Sequence, residues 1–99
     1  MTIEKKVNGN ELEIALEGRL DTMTAPELEA ELNQSLGSAD SLKLDFSKLE
    51  YISSAGLRVL LSAHKVMSAK GGMKVTNVNE IVQEVFEVTG FADILDSEH

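Results

Sequence analysis

Two adjacent hydroxyl side chains, Ser53 and Ser54, follow an alternating strand-like segment and precede a strongly amphipathic helix-like one. The first backbone N–H groups of a helix have no intrahelical acceptor, and the helix dipole places partial positive charge at the same end. An anion can be held there, including a phosphate attached covalently to a serine. The pair therefore marks a candidate binding or modification site, although serines before a helix are more often simple caps.

The composition restricts the classes of protein to which the chain can belong. Its 99 residues predict a single domain, 1–99, with an ordinary 42% of hydrophobic and 26% of charged residues. The absence of cysteine excludes a disulfide framework and a thiolate metal site. A net charge of −8 without a basic cluster disfavours nucleic-acid binding. Neither a membrane span nor a secretory signal is present, so we expect a cytoplasmic protein that does not bind a membrane.

The first half of the chain predicts a hairpin followed by a helix. A strand over residues 3–7 leads into a turn at Asn8 and Gly9, because both residues tolerate positive φ. A second strand follows and ends near residues 18–21. Thr24 is predicted to cap the first helix and Glu27 to complete a capping box. Leucines spaced four residues apart predict the buried face of that helix: Leu28, Leu32 and Leu36.

The second half predicts two further strand–helix units. Leu42, Leu44 and Phe46 alternate with polar residues as a strand, and a short polar loop is expected to lead from there to the two serines. A helix follows over about 55–70, and another strand begins at Met73. Asn79 is predicted to cap a third helix that ends at Gly90. Its apolar positions are Ile81, Val82, Val85 and Phe86. Residues 91–95 are expected to form a short strand or turn and residues 96–99 a frayed end.

The predicted order is ββαβαβα, and strand–helix–strand units imply parallel pairing with right-handed crossovers. A parallel sheet covered on both faces would have continuously apolar strands, whereas these strands alternate, with Lys43, Asp45 and Lys74 between apolar residues. The sequence therefore predicts an α/β domain with a mixed, mostly parallel sheet. Its N-terminal strands form an antiparallel hairpin, and the helices cover one face.

Six segments spread over nearly the whole chain carry a family resemblance. They are Gly18-Arg19-Leu20-Asp21, Ala25-Pro26-Glu27-Leu28, Leu44-Asp45-Phe46-Ser47, Tyr51-Ile52-Ser53-Ser54-Ala55-Gly56-Leu57, Gly71-Gly72 and Val88-Thr89-Gly90-Phe91. Together they resemble the STAS-domain anti-sigma factor antagonists of bacteria. The serine-containing segment is fairly specific when it follows such a strand. Here Ser53 stands where many members have aspartate, and Ala55 where they have a second hydroxyl.

The resemblance implies a binding module controlled by phosphorylation. In the family, an anti-sigma factor that is also a serine kinase phosphorylates a serine in this segment, and a serine phosphatase resets it. The unmodified antagonist binds the anti-sigma factor and frees the sigma factor. Matching the motif places the phosphate acceptor at Ser54, with Ser53 as the competing candidate. The implied partner-binding residues are Asp21, Ser53, Ser54, Ala55, Gly56 and Leu57. No cofactor or metal is implied.

Several residues leave alternatives open. Asp21 either lines the docking surface or simply begins a turn, and Asp45 either steers charge near Ser54 or occupies a polar strand position. Ala55 and Gly56 are expected to keep the surface low, so that a kinase can reach the hydroxyl. With two histidines and no nucleophile elbow, the chain carries no convincing catalytic triad, and we expect no enzymatic activity.

Two other functions remain as alternatives to a phosphorylated antagonist. One is a sensor of a small ligand or nucleotide, held at the helix N-terminus; it is disfavoured because Arg58 is the one basic residue near the two serines. The other is a scaffold subunit of a signalling assembly that is never phosphorylated.

Overall fold

The computed structural model describes residues 1–96, which form one sheet and the helices that cover it. The elements are β1 (Thr2–Asn8), β2 (Glu11–Leu20), α1 (Ala25–Ser35), a 3₁₀ turn (Leu36–Ser38), β3 (Ser41–Ile52), α2 (Ser54–Ser68), β4 (Met73–Thr76), α3 (Glu80–Thr89) and α4 (Phe91–Asp96). The four strands lie in the order β1-β2-β3-β4. β1 and β2 pair antiparallel, and the other two pairs are parallel. The predicted mixed, mostly parallel sheet is therefore confirmed.

One face of the sheet is buried. In β3, Leu44 and Phe46 are fully buried, while Lys43 and Asp45, which alternate with them, remain partly exposed. The helices complete the core with apolar side chains that are almost fully buried, among them Leu28, Leu32, Leu60, Met67, Val82 and Phe86. This alternation is the one expected when helices cover one face of a sheet. The hydrophobic effect thus fixes which residue of each strand points inward.

The hairpin turn lies one residue later than the sequence pattern indicates. Asn8 pairs with Glu11 in the register of β1 and β2, so the two-residue loop consists of Gly9 and Asn10. Gly9 has φ +62°, whereas Asn10 is not in the positive region. Positive φ at the first loop residue alone requires a glycine there, as in a type II′ turn. The predicted turn at Asn8 and Gly9 was therefore wrong by one position, because a different hairpin turn type is used.

The first helix does not begin with the predicted capping box. Thr24 occupies the N-cap position, but its side chain makes no cap hydrogen bond to the helix. Its hydroxyl instead donates to the carbonyl oxygen of Arg19 at 2.8 Å and accepts the backbone N–H of Asp21 at 2.9 Å. The threonine hydroxyl thus holds the segment that precedes the helix, between Arg19 and Asp21. The capping-box motif with Glu27 looks only at residues that follow Thr24 and does not reveal this role. The buried stripe of α1 is as predicted, with Leu28 and Leu32 in the helix and Leu36 in the 3₁₀ turn.

The polar segment after Phe46 is a strand rather than the predicted loop. β3 continues to Ile52, and its partners in β2 show two register shifts, between Ala15 and Glu17 and between Gly18 and Arg19. At each shift β3 contains one residue more than the paired stretch of β2, which is the definition of a β-bulge. The bulges change the spacing of buried residues in β3 from two to three, as Phe46, Leu49 and Ile52 show. The simple alternation ends there, but the strand does not.

The C-terminal part combines confirmed and corrected predictions. Asn79 caps α3 by accepting the N–H of Val82 at 2.8 Å, and Gly90 ends the helix in a left-handed conformation, both as predicted. Residues 91–95 belong to helix α4 rather than to the expected strand or turn. Phe91 is buried with its ring edge-on to Phe86, at 5.2 Å between centroids, which stabilises the helical turn. Of the end predicted to fray, residue 96 lies in α4 and residues 97–99 lie outside the described part.

Helix α2 spans Ser54–Ser68, so it begins and ends slightly earlier than the predicted 55–70. Lys70 therefore lies after the helix. Its ammonium group donates hydrogen bonds to the carbonyl oxygens of Leu36 at 2.8 Å, Ala39 at 3.0 Å and Gly37 at 3.4 Å. These carbonyls belong to the 3₁₀ turn that follows α1 and to its C-cap residue Ala39, where intrahelical donors are lacking. A cation at this position also interacts favourably with the negative end of the helix dipole.

We expect Lys70→Met to lower the free energy of unfolding by about 1–2 kcal/mol, because it removes charge-assisted hydrogen bonds from partly buried carbonyls. Chemical denaturation followed by circular dichroism measures this loss. The control is Lys65→Met, which changes an exposed lysine in the last turn of α2. Equal effects of the two substitutions would contradict the proposed role of Lys70.

Candidate functional site

The site predicted from the two serines forms where β2 and β3 end side by side. The last pair of residues in their parallel register is Leu20 and Ile52. The backbone N–H of Ser53 then donates to the carbonyl oxygen of Leu20 at 2.8 Å. Two segments are thereby joined at the carboxyl ends of adjacent strands: residues 21–24, here called the aspartate loop, and residues 53–57, here called the serine turn.

The two serines occupy different positions in the serine turn. Ser53 is the N-cap of α2 with extended backbone (φ −99°, ψ 175°), and its hydroxyl accepts the N–H of Gly56 at 3.4 Å. Ser53 is half-buried, whereas Ser54 is exposed as the first residue of α2. The hydroxyl of Ser53 thus serves the helix, and the side chain of Ser54 faces solvent. Both Ala55 and Leu57 are half-buried beside it.

Gly56 lies inside the molecule and not on its surface. A Cβ atom at this position would lie 2.7 Å from Cγ of Leu20 and 2.9 Å from Cγ1 of Ile52, both buried. The glycine therefore lets the start of α2 pack closely against the ends of β2 and β3. We expected Gly56 to keep the outer surface low, but the structure gives it a packing role, so any contribution to partner binding is indirect.

The aspartate loop is held by its own carboxylate. Oδ1 of Asp21 accepts the backbone N–H groups of Met23 at 3.0 Å and Thr24 at 3.1 Å. Partial removal from water raises the pKa of this carboxyl group. The hydrogen bonds from Thr24 and Met23 and the positive charge of Arg19 outweigh that effect, and the pKa lies below its ordinary value. Asp21 therefore forms the turn that was one of its two predicted roles, and it is ionised at neutral pH.

Arg19 and Tyr51 lie side by side in the register of β2 and β3, next to the two loops. The guanidinium carbon of Arg19 lies 4.7 Å from the centre of the Tyr51 ring. This distance is within the range of a cation–π interaction. The contact gives Arg19 a defined position at the edge of the sheet that carries the serine turn.

Asp45 does not belong to this site. It lies seven residues before the end of β3 at Ile52, a separation of roughly 20 Å along a strand. The amide of Asn77 donates to its Oδ1 at 3.1 Å, and this bond, together with the N–H of Ser47, holds the pKa of Asp45 below its ordinary value. The hypothesis that Asp45 steers charge near Ser54 was therefore wrong. The continuation of β3 beyond Phe46 is the reason.

Met23 is a candidate contact residue that the sequence pattern did not reveal. Its side chain is 84% exposed in the aspartate loop, so it is available for contact with a partner. It belongs to no helix or strand periodicity, so no amphipathic pattern marks it. The one available signal was its place in a polar loop next to Asp21. With Ser54, Met23 makes this end of the molecule a mixed polar and apolar surface.

The described residues give little support to a ligand or metal site. Within residues 1–96, no group of three or more histidine, aspartate or glutamate side chains is placed to hold a metal ion. A shallow depression is lined by three carboxylates and one cation, so its net negative charge would repel a nucleotide phosphate; the charged residues are Glu4, Glu17, Asp45 and Lys48. Over the same range, no helix is both long and apolar enough to cross a membrane.

These features define a small α/β domain that presents a helix N-terminus and a neighbouring loop at one edge of its sheet. The chain belongs to the STAS domain family: the family model described as "Mlab, STAS domain" matches residues 3–96. The family resemblance of the sequence motifs is therefore confirmed.

Individual relatives agree with this assignment. BtrV of Bordetella bronchiseptica, named as a candidate anti-sigma factor antagonist, is 40% identical over 81 residues, which cover 80% of this chain and 70% of that protein. The anti-sigma-B factor antagonist of Bacillus subtilis is 28% identical over 97 residues, or 97% of this chain and 89% of that protein. The Bacillus cell fate determinant SpoIIAA, solved in its phosphorylated form, has a TM-score of 0.73 at 20% identity, covering 93% of this chain and 86% of that one. The last similarity shows a shared fold.

We expect Gly56→Ala to destabilise the domain, although glycine in a helix is ordinarily about 1 kcal/mol worse than alanine. Forcing a methyl group against Leu20 and Ile52 costs about 1–3 kcal/mol, so the net loss should be about 1 kcal/mol, or a Tm roughly 4–8 °C lower. Differential scanning calorimetry measures the change. Gly37→Ala is the matched control, because a Cβ there meets nothing within 4 Å. A Gly56→Ala protein as stable as wild type would show that the helix does not pack as closely as described.

Proposed function

We propose that this protein is an anti-sigma factor antagonist that is switched by phosphorylation of Ser54. The unmodified chain binds an anti-sigma factor with serine kinase activity and so releases the sigma factor. Phosphorylation ends that binding, and a serine phosphatase restores it. In this proposal the chain is a cytoplasmic regulator that binds proteins, acts as a kinase substrate and has no catalysis of its own. The names of its relatives BtrV and the Bacillus subtilis antagonist support the proposal.

The observation that carries the proposal is the different environment of the two serines. The hydroxyl of Ser53 faces the backbone of α2 as its cap, whereas Ser54 is exposed on the first residue of the helix. A kinase must reach the oxygen that it modifies, so exposure favours Ser54 as the acceptor. SpoIIAA, which shares this fold, is known in a phosphorylated form, which supports the idea that the fold tolerates a phosphate.

The same surface supports the choice of partner contacts. The backbone bond between Ser53 and Leu20 holds the aspartate loop beside the serine turn, which supports placing Asp21 and Met23 on the same docking surface as the proposed acceptor. An anti-sigma factor that docks over Ser54 would therefore also meet the carboxylate of Asp21 and the exposed side chain of Met23. Ala55 and Leu57 would contribute their half-exposed surfaces, and buried Gly56 would act by holding α2 in place.

Charge explains how such a switch would work. A phosphate on Ser54 adds about −1.5 to −2 charges at pH 7. At a helix N-terminus negative charge is stabilising by about 0.3–1 kcal/mol, so the domain should keep its fold. In a protein–protein contact an unpaired buried charge costs several kcal/mol, which corresponds to a loss of affinity of about 10²-fold or more. The phosphate would therefore block docking without unfolding the domain.

The first test identifies the acceptor. The wild-type chain, Ser54→Ala and Ser53→Ala are incubated with ATP and each anti-sigma factor kinase of the source genome, and the phosphate is located by mass spectrometry. We expect Ser54→Ala to accept no phosphate and Ser53→Ala to be phosphorylated at Ser54. The cap bond of Ser53 is long, so its loss should cost only about 0.5 kcal/mol and leave the variant folded. Detection of phosphate on Ser53 in the Ser54→Ala protein would refute the assignment of Ser54 as the acceptor.

The second test measures the switch. We expect Ser54→Glu to weaken binding to the anti-sigma factor at least about 100-fold, while the Tm stays equal to or slightly above that of wild type. Isothermal titration calorimetry and thermal denaturation give the two values. Ser54→Gln is the matched control, since it has the same size without the charge, and should bind more tightly than Ser54→Glu. Unchanged binding of Ser54→Glu would instead indicate a scaffold that phosphorylation does not regulate.

A further inference from the structure

Arg58 lies one helical turn after the proposed phosphate acceptor. Ser54 and Arg58 both belong to α2 and both are exposed. Residues four apart on a helix are neighbours, with about 5–6 Å between their Cβ atoms. Side chains on a helix also lean toward its N-terminus, so Arg58 covers the turn that begins at Ser54.

Arg58 has no other described role. Among residues 1–96, no hydrogen bond, ion pair or aromatic contact is assigned to it, and the one salt bridge described there joins Lys5 and Glu31. The first turn of α2 contains no acidic residue that could attract its guanidinium group. In a chain with a net charge of −8, an exposed arginine without an acidic partner on its own helix turn is available for a new anion.

We propose that Arg58 binds the phosphate of phosphorylated Ser54 and holds it against the first turn of α2. This inference rests on the proposed function and names the residue that recognises the modified state. The guanidinium group has a planar fork of donors that matches two phosphate oxygens. The free N–H groups at the start of the helix would bind the remaining oxygens, because they lack intrahelical acceptors.

The other charged groups near the serine turn do not replace Arg58. Asp21 is negative and repels a phosphate, while its carboxylate stays bound to the backbone of its own loop. Arg19 is placed over the ring of Tyr51, at the ends of β2 and β3. Arg58 is thus the cation on the same helix that lies one turn after the acceptor. Its pairing would keep the phosphate dianionic at pH values where a free phosphoserine begins to take up one proton and become monoanionic, near pH 6.

The test uses protein in which phosphoserine is encoded at position 54 during synthesis, so that it does not depend on any kinase. Phosphorus NMR follows the second ionisation of the phosphate as a function of pH. We expect the pKa of the phosphate to be about 0.3–0.7 lower in the wild-type chain than in Arg58→Gln, the change produced by losing one exposed ion pair. Arg58→Lys should give an intermediate pKa, because it keeps the charge without the fork.

The control is Lys65→Gln, which removes a positive charge from the far end of α2, about 16 Å from Ser54 along the helix axis. We expect it to leave the pKa of the phosphate unchanged. The difference between wild type and Arg58→Gln should also shrink in about 1 M salt, where the Debye length is about 3 Å. An unchanged pKa in Arg58→Gln, or an equal change in Lys65→Gln, would overturn the inference.

The design separates this inference from the proposed function. If kinases fail to modify Ser54 while the encoded phosphate still responds to Arg58, the proposed function fails and the pairing stands. If Ser54 is the kinase acceptor but its phosphate ignores Arg58, the pairing alone fails.

Discussion

The candidate site depends on one constraint, the parallel pairing of β2 and β3 all the way to Leu20 and Ile52. Only because the strands end together can the N–H of Ser53 bond to the carbonyl of Leu20 and bring the aspartate loop beside the serine turn. The two bulges make this possible, since they fit a strand of 12 residues against one of 10. Without the extra residues in β3, the two strands would not end level, and the serines would lie at a different height relative to Asp21.

The parts of the fold that the sequence predicts well are those governed by local physics. Alternation in β2 and in the first half of β3, the cap at Asn79 and the stop at Gly90 depend on residues within a few positions of each other. Hydrophobic periodicity and cap chemistry report such features directly. The order of strands and helices and the one-sided sheet follow from them. The serine pair was recognised as a helix start for the same reason.

The features that the sequence did not predict depend on distant partners. The bulges exist because β3 must match β2, and the polar residues between Phe46 and Leu49 look like a loop when only β3 is considered. Thr24 resembles a helix cap, but its hydroxyl donates to the carbonyl oxygen of Arg19, five residues earlier and in β2. The last segment is helical because Phe91 packs on Phe86 in the preceding helix. In each case a tertiary contact decides between local alternatives of similar energy.

The distinction between Ser53 and Ser54 shows the same limit at the site itself. Two adjacent hydroxyls before a helix are equivalent as a pattern, and the backbone decides which becomes the cap. Ser53 takes the extended conformation because it still bonds to β2, and the helix therefore begins at Ser54. Close packing at Gly56 then fixes the direction of α2 from its first turn. A firmly held helix start suits a switch that acts through surface charge. A modified residue there can change the binding of a partner without moving the strands against which the helix packs. The free energy of unfolding of natural domains is only about 5–15 kcal/mol, so a switch that leaves the core unchanged does not reduce this small stability.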